Sequence, residues 1–509
     1  MDTVVSVNKL NDVYAVIDSN EFFALKELVE YFTFKVPGAE FMPTYRNKVW
    51  DGKIRLLNPN TRKIYLGLIP LIEKFCESNK YKFEYPNAYP KIPISDKELN
   101  AFTRLVNPHS GGSPIEYRDY QVEAIQAAIN KERILLVSPT ASGKSLILYS
   151  LIRFYNMHPN VKGKQILIIV PTTSLVEQMY GDFKDYGWDV ERFCHKIYQG
   201  QDKQTNKKVV ISTWQSIYKM DRDYFAKFAV VMGDECHLFK ANSLNKIMEK
   251  MVSCRYRIGT TGTLDGTKTH KLVLNGLFGD VQQVTTTKKL IDNKTLSDFK
   301  IKCLVLKYSD EDRKFCKKHW SSEPNAGPMK YSDEIDWLIT NQQRQKFITN
   351  LADSLEGNTL VLFNQVIKQG KPLFENIQKK VSDGRPVFYV SGEVKTIERE
   401  EVRKITELSD NAIIVASYGT FSTGINIKKL HNVVFASPSK SRVRNLQSIG
   451  RALRKGNGKT SAVLYDIVDD LKHKTYLNFA MRHFYERINI YNEENFDFSI
   501  HEINMYKED

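Results

Sequence analysis

The sequence predicts an α/β fold with two tandem parallel-sheet domains, a small α/β domain in front of them and a short helical tail behind. Short apolar runs alternate with helical segments from Ile115 onward. The same alternation resumes after a polar, irregular region between Thr285 and Asn341. Such alternation is typical of parallel sheets with helices on both faces. We therefore expect four parts, with the segments 1–112, 113–290, 291–470 and 471–509.

The composition limits the partners and the compartment of the protein. The 509 residues carry a formal net charge of +15, which favours a polyanionic partner. We find neither a basic amphipathic anchor nor an apolar run long enough to span a bilayer, and residues 1–20 do not resemble a secretory signal. The six cysteines are scattered and form no Cys-x-x-Cys pair, which indicates a reducing compartment and no structural zinc. We expect a cytoplasmic protein with no membrane partner.

The first segment has the pattern of a small α/β module. A helix is predicted over 21–34, with Phe22, Leu25, Leu28, Val29 and Phe32 on its apolar side. An Asp-Gly pair at 51–52 lies between alternating runs and predicts a hairpin over 48–57. A further helix is expected over 69–78, and a stretch rich in Pro, Gly and Ser over 86–114 marks the linker.

Basic and aromatic residues interleave around the predicted hairpin. They are Tyr45, Arg46, Lys48, Trp50, Lys53, Arg55, Arg62 and Lys63. Cations with interspersed rings suit phosphate contact combined with base stacking. The alternative is that Trp50 and Tyr65 belong to the core while the cations solvate an outer face. The sequence leaves both interpretations open, and Lys53 and Arg55 are the candidate contacts to nucleic acid.

The strands of the first sheet are predicted from five apolar runs: Ile134–Val137, Gln165–Val170, Val209–Ser212, Ala229–Met232 and Arg257–Gly259. In open parallel sheets, ligands bind at the carboxyl ends of the strands. The informative polar residues follow the runs directly: Lys144; Pro171, Thr172 and Thr173; Thr213, Trp214 and Gln215; Asp234 and Glu235; Thr261, Gly262 and Thr263. We therefore expect the functional site at this edge of the sheet.

A phosphate-binding loop is predicted where the first run turns into a helix. Residues 138–145 read Ser-Pro-Thr-Ala-Ser-Gly-Lys-Ser, which matches the second half of the known template through Gly143, Lys144 and Ser145. The N–H groups at a helix start are unpaired and attract anions. We expect Thr140, Ala141 and Ser142 to line the same loop.

Two carboxylates end the fourth apolar run. Asp234 is suited to holding Mg²⁺, and Glu235 is suited to orienting or deprotonating the attacking water. Either motif alone is weak, because small residues at a helix start and acids at a strand end are both common. Their order and their context together predict a nucleotide hydrolase that uses ATP and Mg²⁺.

The second sheet is predicted from the runs Thr359–Phe363, Val387–Val390, Ala412–Ala416, Val433–Ala436 and Ala462–Ile467. No phosphate loop occurs there, and two other motifs stand in its place, at 422–426 and 447–454. Residues 361–460 hold 18 Lys and Arg against 8 Asp and Glu. Since the surplus is concentrated at 428–429 and 440–459, it favours a nucleic-acid groove over a solvated helix face.

With these motifs in this order, the chain resembles the superfamily 2 helicases over residues 117 to about 470. The resemblance implies two RecA-like domains. It matches Lys144 and Ser145 to the first motif, residues 234–237 (Asp-Glu-Cys-His) to the second and residues 261–263 to the third. Phe363 lies in the fourth motif. The remaining matches are Thr423 and Gly424 in the fifth motif, Gln447, Arg451 and Arg454 in the sixth, and Arg118 and Gln121 in the adenine-reading motif.

The resemblance also implies a mechanism. ATP would sit between the two domains, with Gly424 among its contacts, and Arg451 and Arg454 would stabilise the transferring phosphoryl group. His237 and Gln447 would link the domains across the cleft, and residues 261–263 would couple hydrolysis to movement. Nucleic acid would cross the opposite edge on backbone and hydroxyl contacts. These contacts are Pro171, Thr172, Thr173, Thr213, Trp214, Gln215, Ser391, Gly392 and Thr423.

Within the superfamily, an Asp-Glu-x-His motif separates the chain from the Asp-Glu-Ala-Asp RNA helicases. Along its whole length, including the Trp-Asp-Gly module at 50–52, the chain is similar to helicases of T4-like bacteriophages that act on branched DNA in recombination and fork repair. This likeness implies an ATP-dependent DNA helicase or translocase for fork regression, branch migration and unwinding of D-loops or R-loops. For a phage protein, the compartment would be the host cytoplasm.

Several alternatives stay open at the level of sequence. They are a duplex translocase that does not unwind, a structure-specific DNA-binding or annealing protein with a regulatory ATPase, and an RNA helicase. The expected partners are branched or single-stranded DNA, with RNA–DNA hybrids and other recombination or replication proteins as further candidates. Two departures bear on the mechanism: Ser138 and Ala141 replace frequent glycines of the first motif, and Thr-Gly-Thr at 261–263 replaces the common Ser-Ala-Thr.

Overall fold

The computed structural model describes residues 2–36, 38–89, 93–239, 242–264, 268–318, 330–381, 384–424, 427, 429–437, 439–455 and 459–506. The chain forms two compact units. The first comprises 1–138 and 143–285, and the second comprises 139–142 and 286–509. The N-terminal region and the first parallel sheet therefore belong to one unit.

The N-terminal region is built around a small sheet of order β5-β2-β1-β6. The strands of the N-terminal region are β1 Val4–Lys9, β2 Tyr14–Ser19, β3 Thr33–Lys35, β4 Lys53–Arg55, β5 Lys63–Tyr65, β6 Lys82–Glu84, β7 His109–Ser110 and β8 Ser113–Pro114. The pairs β3-β4 and β7-β8 form separate two-stranded sheets. The helices of this region are α1 Phe22–Tyr31, α2 Pro43–Arg46, α3 Ile69–Asn79 and α4 Asp96–Val106. The predicted helices over 21–34 and 69–78 correspond to α1 and α3, although Phe22 is 68% exposed and does not lie on the apolar side.

The predicted hairpin over 48–57 is wrong. Strand β4 pairs antiparallel with β3, with Phe34 opposite Ile54, and the connection between them contains α2. Gly52 has the positive φ of 74° that a tight turn uses, but the partner strand comes from before α2 instead of from residues 48–50. The predicted turn at Asp51–Gly52 is present, but the strand that pairs with β4 is β3 and not residues 48–50.

The N-terminal region packs on the first parallel-sheet domain through a mixed apolar and polar contact. Its core residues continue into Leu272. The Tyr65 hydroxyl donates to Glu249 Oε1 at 2.6 Å, and the Asp12 N–H donates to Val252 O at 2.9 Å. The buried guanidinium of Arg133 donates to Asp12 O at 2.5 Å. These three hydrogen bonds between the N-terminal region and the first parallel-sheet domain form only in the packed arrangement.

The first large sheet has the order β11-β12-β10-β13-β14-β9-β15, and its strand pairs are parallel. Its elements are α5 Asp119–Lys131, β9 Arg133–Val137, α6 Lys144–Met157, β10 Gln165–Val170, α7 Thr173–Asp185, α8 Val190–Phe193, β11 Cys194–Ile197, β12 Val209–Thr213, α9 Trp214–Ile217, α10 Arg222–Ala226, β13 Phe228–Gly233, α11 Asn242–Lys250, β14 Tyr256–Thr261, α12 Lys268–Phe278 and β15 Asp280–Gln283. Ile134 and Leu136 face one core and Leu135 the other, because successive side chains point to opposite faces. Both faces are therefore covered.

The second large sheet has the order β18-β19-β17-β20-β21-β16-β22 and is also parallel. Its unit contains α13 Thr287–Asp292, β16 Asp298–Lys307, α14 Asp310–Lys318, α15 Tyr331–Thr340, α16 Gln342–Ser354, β17 Thr359–Phe363, α17 Lys371–Lys380, β18 Val387–Val390, α18 Thr396–Leu408, β19 Ile413–Ser417, α19 Tyr418–Gly424, β20 Asn432–Phe435, α20 Arg442–Ala452, β21 Ser461–Asp470, α21 Phe479–Glu493 and β22 Phe498–Asn504. The prediction of two tandem parallel-sheet domains is confirmed.

Two elements of the second unit go beyond the prediction. The region expected to be irregular contains β16, which pairs along its whole length with β21. The tail contains the expected helix, α21, and then adds β22 as an edge strand beside β16. The tail is therefore part of the second sheet.

Buried ion pairs fix α16 and α21 to strand β21. Arg344 donates to both carboxylate oxygens of Asp469, at 2.7 and 3.0 Å, and Arg487 donates to Asp466 Oδ2 at 2.8 Å. These four side chains are at most 1% exposed. Removing one partner of such a pair would leave a buried charge uncompensated.

Candidate nucleotide and nucleic-acid sites

The candidate site of the first unit lies at the carboxyl edge of its sheet. The strands β12, β10, β13, β14 and β9 are neighbours in this order. The polar segments of this unit that follow them are consequently neighbours too: residues 213–215, 171–173, 234–237, 261–263, and 138 with 143–145. Among the described residues of the chain, no cluster of three His, Cys, Asp or Glu side chains is arranged to hold a metal ion. A metal bound here would need oxygen ligands from elsewhere, such as phosphates and water.

The phosphate loop has the backbone of an anion-binding turn. Gly143 caps α6 with a φ of 86°, and Ala141 also adopts a positive φ, of 65°. The positive φ at Gly143 favours glycine, and a Cβ there would also displace the side-chain amide of Gln121. Ser142 Oγ donates to Pro139 O at 2.6 Å. The loop holds a strained conformation, as binding loops commonly do.

Gln121 lies beside Gly143 of the loop, and Arg118 lies beside Gln121. The Gln121 side chain is 3% exposed, and its amide oxygen accepts from the N–H of Arg118 at 3.0 Å. The Arg118 guanidinium donates to the Tyr120 hydroxyl at 2.8 Å. Ser138 N–H donates to Thr261 O at 2.8 Å, which joins the start of the loop to β14.

Lys144 and the carboxylates form the charged centre of the site. Lys144 Nζ lies 3.3 Å from Ser138 O and 4.0 Å from Glu235 Oε1. Asp234 is buried, and its Oδ1 accepts from Thr260 Oγ1 at 2.8 Å and from the N–H of Glu235 at 2.9 Å. Burial and the negative charge of Glu235 raise the pKa of Asp234, while Lys144 opposes the shift. The site thus concentrates negative charge where a cation would relieve it.

His237 connects the second motif to the third. Its Nδ1 lies 3.1 Å from Thr261 Oγ1 and 3.2 Å from Glu235 Oε2. Since Thr261 Oγ1 donates its own proton to Thr263 O at 2.9 Å, the network assigns the donated hydrogen to His237 Nδ1. Glu235 itself has a positive φ of 52°, which turns its side chain into this cluster.

The candidate nucleic-acid residues of the first unit lie side by side. Thr172 caps α7 through a hydrogen bond from the Leu175 N–H, at 3.4 Å. The Gln215 side-chain amide donates to Pro171 O at 3.3 Å. Thr173 and Gln215 are exposed, whereas Thr213 is buried and contacts Ser216 Oγ at 2.9 Å. Trp214 is half-buried against the core.

In the second unit, the candidate residues follow β18 and lie on α19 and α20. Ser391 is fully buried, and the exposed Gly392 accepts from Arg399 through its carbonyl, at 3.1 Å. The guanidinium of Arg451 lies 5.5 Å from the centre of the Phe421 ring, and Arg451 and Gln447 are half-buried on α20. Arg454 is half-buried just beyond that helix, and its carbonyl accepts from Lys459 Nζ at 2.9 Å.

The predicted fifth motif begins on helix α19. Thr423 and Gly424 belong to helix α19, but their side chains are outside the described part of the chain. Residues 425, 426 and 428 of the fifth motif and its basic flank also lie outside the described residues.

The cations of the N-terminal region are mostly exposed. Lys48 and Lys53 are exposed, and Trp50 is half-buried with its indole N–H donating to Lys53 O at 2.9 Å. Arg55 pairs with Asp51 at 2.5 Å, and Arg62 pairs with Asp18 at 2.5 Å. Tyr65 is largely enclosed at the contact with Glu249, so it is a packing residue. Trp50 therefore lies at the basic surface, while Tyr65 belongs to the core.

Sequence reasoning missed Thr260, which lies one residue before the third motif. Its hydroxyl is the side-chain donor to buried Asp234, and it is 1% exposed. A Thr at the end of a buried apolar strand was the available signal, because a hydroxyl there needs a partner.

Three families of known proteins match consecutive regions of the chain. Residues 5–85 match the family described as DNA helicase UvsW, N-terminal. Residues 114–266 match Type III restriction enzyme, res subunit, and residues 342–456 match the helicase conserved C-terminal domain. The ATP-dependent DNA helicase uvsW of Enterobacteria phage T4 is 36% identical over 498 residues, which cover 94% of this chain and 95% of the relative.

The chain belongs to the UvsW family of DNA helicases. The crystal structure of T4 UvsW superposes with a TM-score of 0.51 at 34% identity, covering 99% of this chain and all of that one. A more distant relative of this UvsW helicase is the DNA 3'-5' translocase XPB2 of Sulfurisphaera tokodaii, 21% identical, with 70% of this chain and 82% of that protein covered. The predicted superfamily 2 membership and the prediction of an ATP-dependent helicase are confirmed.

The fold is shared with a subunit of a type I restriction enzyme. A fragment of a putative HsdR subunit from Vibrio vulnificus superposes with a TM-score of 0.57 at 18% identity, covering 89% of this chain and 76% of that one, which shows a shared fold. Where the structure describes this UvsW helicase, no helix has both the length and the apolar composition that crossing a bilayer requires.

Proposed function

We propose that this UvsW helicase uses ATP hydrolysis to remodel branched DNA in recombination and repair, by fork regression, branch migration or unwinding of D-loops and R-loops. The observation that carries the proposal is the N-terminal region of the UvsW type, which presents cations to solvent and is packed on the first RecA-like domain by buried contacts. A basic module held on the motor domain would keep a DNA junction in one position while the motor acts. Proteins that only translocate would need no such fixed module.

The chemistry of hydrolysis is assigned to the carboxyl edge of the first sheet. We assign Lys144 to the β- and γ-phosphates, with the main chain of residues 140–143 around them, and Glu235 to the attacking water. Arg118 and Gln121 are assigned to the adenine. The Lys144 ammonium lies near both the loop and Glu235, at 4.0 Å, which fits a group that enters and leaves an ion pair as phosphate binds.

The residues present fit a Mg²⁺ ion. Ser145 and Asp234 would hold it, since hydroxyl and carboxylate oxygens are the ligands that Mg²⁺ prefers. The raised pKa of Asp234 reflects unbalanced negative charge in a buried place, which a cation would balance. Bound Mg²⁺ would neutralise charge on the β- and γ-phosphates. Thr260 would keep the Asp234 carboxylate in one orientation.

The second unit would complete the ATPase. We assign Arg451 and Arg454 to the charge of the transferring phosphoryl group, a contribution typically worth about 10³–10⁵ in kcat. Gln447 and His237 would report the state of the nucleotide. His237 contacts both Glu235 and Thr261, so a movement of the Glu235 carboxylate would shift the His237 ring and, through its hydrogen bond, residues 261–263.

DNA would be held mainly through its backbone. Residues 171–173 and 213–215 support this assignment, because the hydrogen bond from Gln215 to Pro171 makes them one surface at the sheet edge. Ser391, Gly392 and Thr423 are assigned to the same strand in the second unit. The N-terminal contacts are assigned to Lys48, Lys53 and Trp50, with Arg55 available if its ion pair with Asp51 opens.

The exposed apolar side chains of the connection between β3 and β4 support a role beside a junction. Phe41 is 71% exposed and Val49 is 78% exposed, and Val49 lines a surface pocket together with the exposed cations Arg46 and Lys48. Apolar groups next to cations suit contact with bases that have lost a stacking partner.

The test is ATP hydrolysis by the wild type and by Glu235→Gln with no polymer, single-stranded DNA, duplex, a four-way junction and RNA. We expect the greatest stimulation with the junction and its loss in Glu235→Gln. Glu123→Gln, which changes an exposed carboxylate on α5, is the matched control and should behave as the wild type. Stimulation by RNA alone, or equal stimulation by duplex and junction, would contradict the proposal.

Branch preference is tested separately at the N-terminal surface. Lys48→Ala/Lys53→Ala should lower the preference for the junction over single-stranded DNA while leaving single-strand-stimulated ATPase intact. The control Lys74→Ala/Lys97→Ala removes the same charge from exposed positions on α3 and α4. An unchanged preference in the first variant would show that the module does not choose the substrate. Point variants are preferred to a deletion, because deletion would uncover Leu272 and leave Glu249 without Tyr65.

A further inference from the structure

A pocket in the second unit is lined by residues that the proposed function does not use, although Lys440 and Arg444 belong to the basic stretch 440–459. It has a volume of about 390 Å³ and opens where β17 and β20 end, between the start of α20 and the side of α21. Asn364 and Ser439 come from the strand ends, Lys440 and Arg444 from the approach to α20, and Phe479 and His483 from α21. The pocket thus combines elements that are far apart in sequence.

The charge of this pocket is positive and is not balanced by its own lining. Lys440 and Arg444 are exposed, and no Asp or Glu is among the described residues that line the pocket. Arg444 donates to Asn364 Oδ1 at 3.3 Å, and among the described residues neither cation forms an ion pair. Arg442 differs, because Glu493 and Glu494 neutralise it. Two cations, Lys440 just before the cap of α20 and Arg444 in its first turn, therefore line the pocket without an ion-pair partner among the described residues.

The start of α20 adds to this positive potential. The helix runs over Arg442–Ala452, and Ser441 caps it by accepting from the Arg444 N–H at 3.4 Å. The first N–H groups of a helix are unpaired within it, and its dipole favours an anion at this end. The potential of the helix start and the charge of the two side chains add at the same place.

An unpartnered histidine points to a missing ligand. His483 is 7% exposed, and within the described part of the chain its Nδ1 has no hydrogen-bond partner. Burial, together with the positive charges of Lys440 and Arg487, lowers the pKa of His483 to about 4, so the ring is neutral at pH 7. A buried polar atom without a partner is costly. His483 is among the residues that line the pocket, so a ligand bound there would lie beside its ring.

Aromatic rings complete the lining. The Tyr331 ring lies 5.6 Å from that of Phe479 and 5.2 Å from that of His483. Tyr331 is 41% exposed, so one edge of this aromatic group is open to solvent. Cations beside an accessible ring are the combination with which proteins hold single-stranded nucleic acid, where phosphate meets the cation and a base stacks on the ring.

We propose that this pocket binds one nucleotide unit of a single DNA strand, with a phosphate on Lys440, Arg444 and the start of α20, and the base against Tyr331. The inference goes beyond the proposed function and does not depend on branch preference, since any single strand would present the same chemistry. It adds a contact in the second unit that none of the helicase motifs supplies. The contact would hold the strand on that unit while ATP is hydrolysed elsewhere.

The experiment measures binding of a fluorescent oligo-dT to the full chain by anisotropy, over a range of salt concentrations and without nucleotide. Lys440→Ala/Arg444→Ala should weaken binding and reduce the slope of log K against log salt by about 0.7, the value for one phosphate contact on a single strand. Tyr331→Leu should weaken binding about tenfold, as expected for the loss of one stacked base. Lys379→Ala/Lys380→Ala, exposed on α17 and away from any aromatic lining, is the charge-matched control and should change neither quantity.

Photocrosslinking with 4-thiothymine in the same oligonucleotide should label Tyr331, Phe479 or His483. Unchanged binding and salt slope in Lys440→Ala/Arg444→Ala, or an equal loss in the control, would overturn the proposal. A free nucleotide is the other source of the same chemistry. It is tested by the binding of fluorescent ADP to the Lys144→Ala variant. If ADP still binds to that variant and binding is lost when Lys440→Ala/Arg444→Ala is added, the pocket binds free nucleotide, and the assignment to a DNA strand is overturned. Both readouts are independent of the junction assay.

Discussion

Gly67 gives the most direct test of how the N-terminal region is held on the motor domain. It lies in the turn before α3, against the end of α12. A Cβ at Gly67 would overlap the main-chain oxygen of Asn275 and would lie 2.7 Å from Gly276 O and 2.9 Å from Gly279 N. All three are backbone atoms, so no side-chain rotation can make room. Gly67→Ala must therefore separate the two surfaces or bend one of them.

The magnitude follows from the cost of overpacking. Inserting a methyl group into a closely packed contact costs about 1–3 kcal/mol. Each kcal/mol lowers the melting temperature of a domain of 150–250 residues by about 2–4 °C, so we expect a fall of about 2–12 °C. The loss should be local. Amide hydrogen exchange measured by mass spectrometry should rise in peptides covering 65–72 and 268–279.

Gly181→Ala is the matched control. Gly181 lies inside α7, and a Cβ there would meet no atom within 4 Å. Alanine is about 0.5–1 kcal/mol more favourable than glycine in a helix, so this variant should melt slightly higher than the wild type. If Gly67→Ala melts at the wild-type temperature with unchanged exchange at 65–72 and 268–279, the packing argument is wrong. An equal fall in both variants would refute it as well.

Three further predictions concern buried polar groups. Thr260→Val removes the donor to Asp234 and should lower stability by about 1–3 kcal/mol and reduce kcat for ATP, measured by urea unfolding and steady-state hydrolysis. Arg344→Leu leaves the buried carboxylate of Asp469 without its cation, so the free energy of unfolding in the same assay should fall by about 3–5 kcal/mol. A fall of less than about 1 kcal/mol would contradict this prediction. Burial lowers the pKa of Lys459 from 10.5 to about 7, so the unfolded chain binds more protons between these values. Wild-type stability relative to Lys459→Met should consequently rise from pH 7 to 10, and a flat difference would contradict the shift.

Most of the strands predicted for the two large sheets share one property, and the edge strand β18 is the exception. Runs such as Ile166–Val170 and Val209–Thr213 are buried on both faces of a parallel sheet, so they are continuously apolar and easily recognised. The strands β11, β15 and β22, which were missed, are edge strands. An edge strand has one side toward solvent, so its sequence is more polar and loses the signal. Strand β16 was missed because its first half alternates between exposed and buried residues.

The predicted phosphate loop and carboxylates were brought together at one sheet edge because strand order follows from the parallel topology. What the sequence could not provide was the layer behind them. Thr260 acts through a contact with Asp234 that spans 26 residues. Gln121 was predicted for the adenine, but its contact with Gly143 spans 22 residues, and no local pattern encodes a contact of this kind. The error at Asp51–Gly52 has the same origin. Turn chemistry is local, whereas the pairing of β4 with β3 depends on a strand that lies before α2.

The basic stretch 440–459 shows why charge counted along the chain is a poor measure of a binding surface. Among its described residues, Arg442 is neutralised by two glutamates, and Lys459 is buried with its ammonium donating to the Ala452 and Arg454 carbonyls. Lys440 and Arg444 differ from both, since they face a pocket without a carboxylate. A phosphate gains from a cation only when that cation has not already been paired or desolvated. The positions that can bind are therefore selected by the fold, from a surplus that the sequence shows only as a sum.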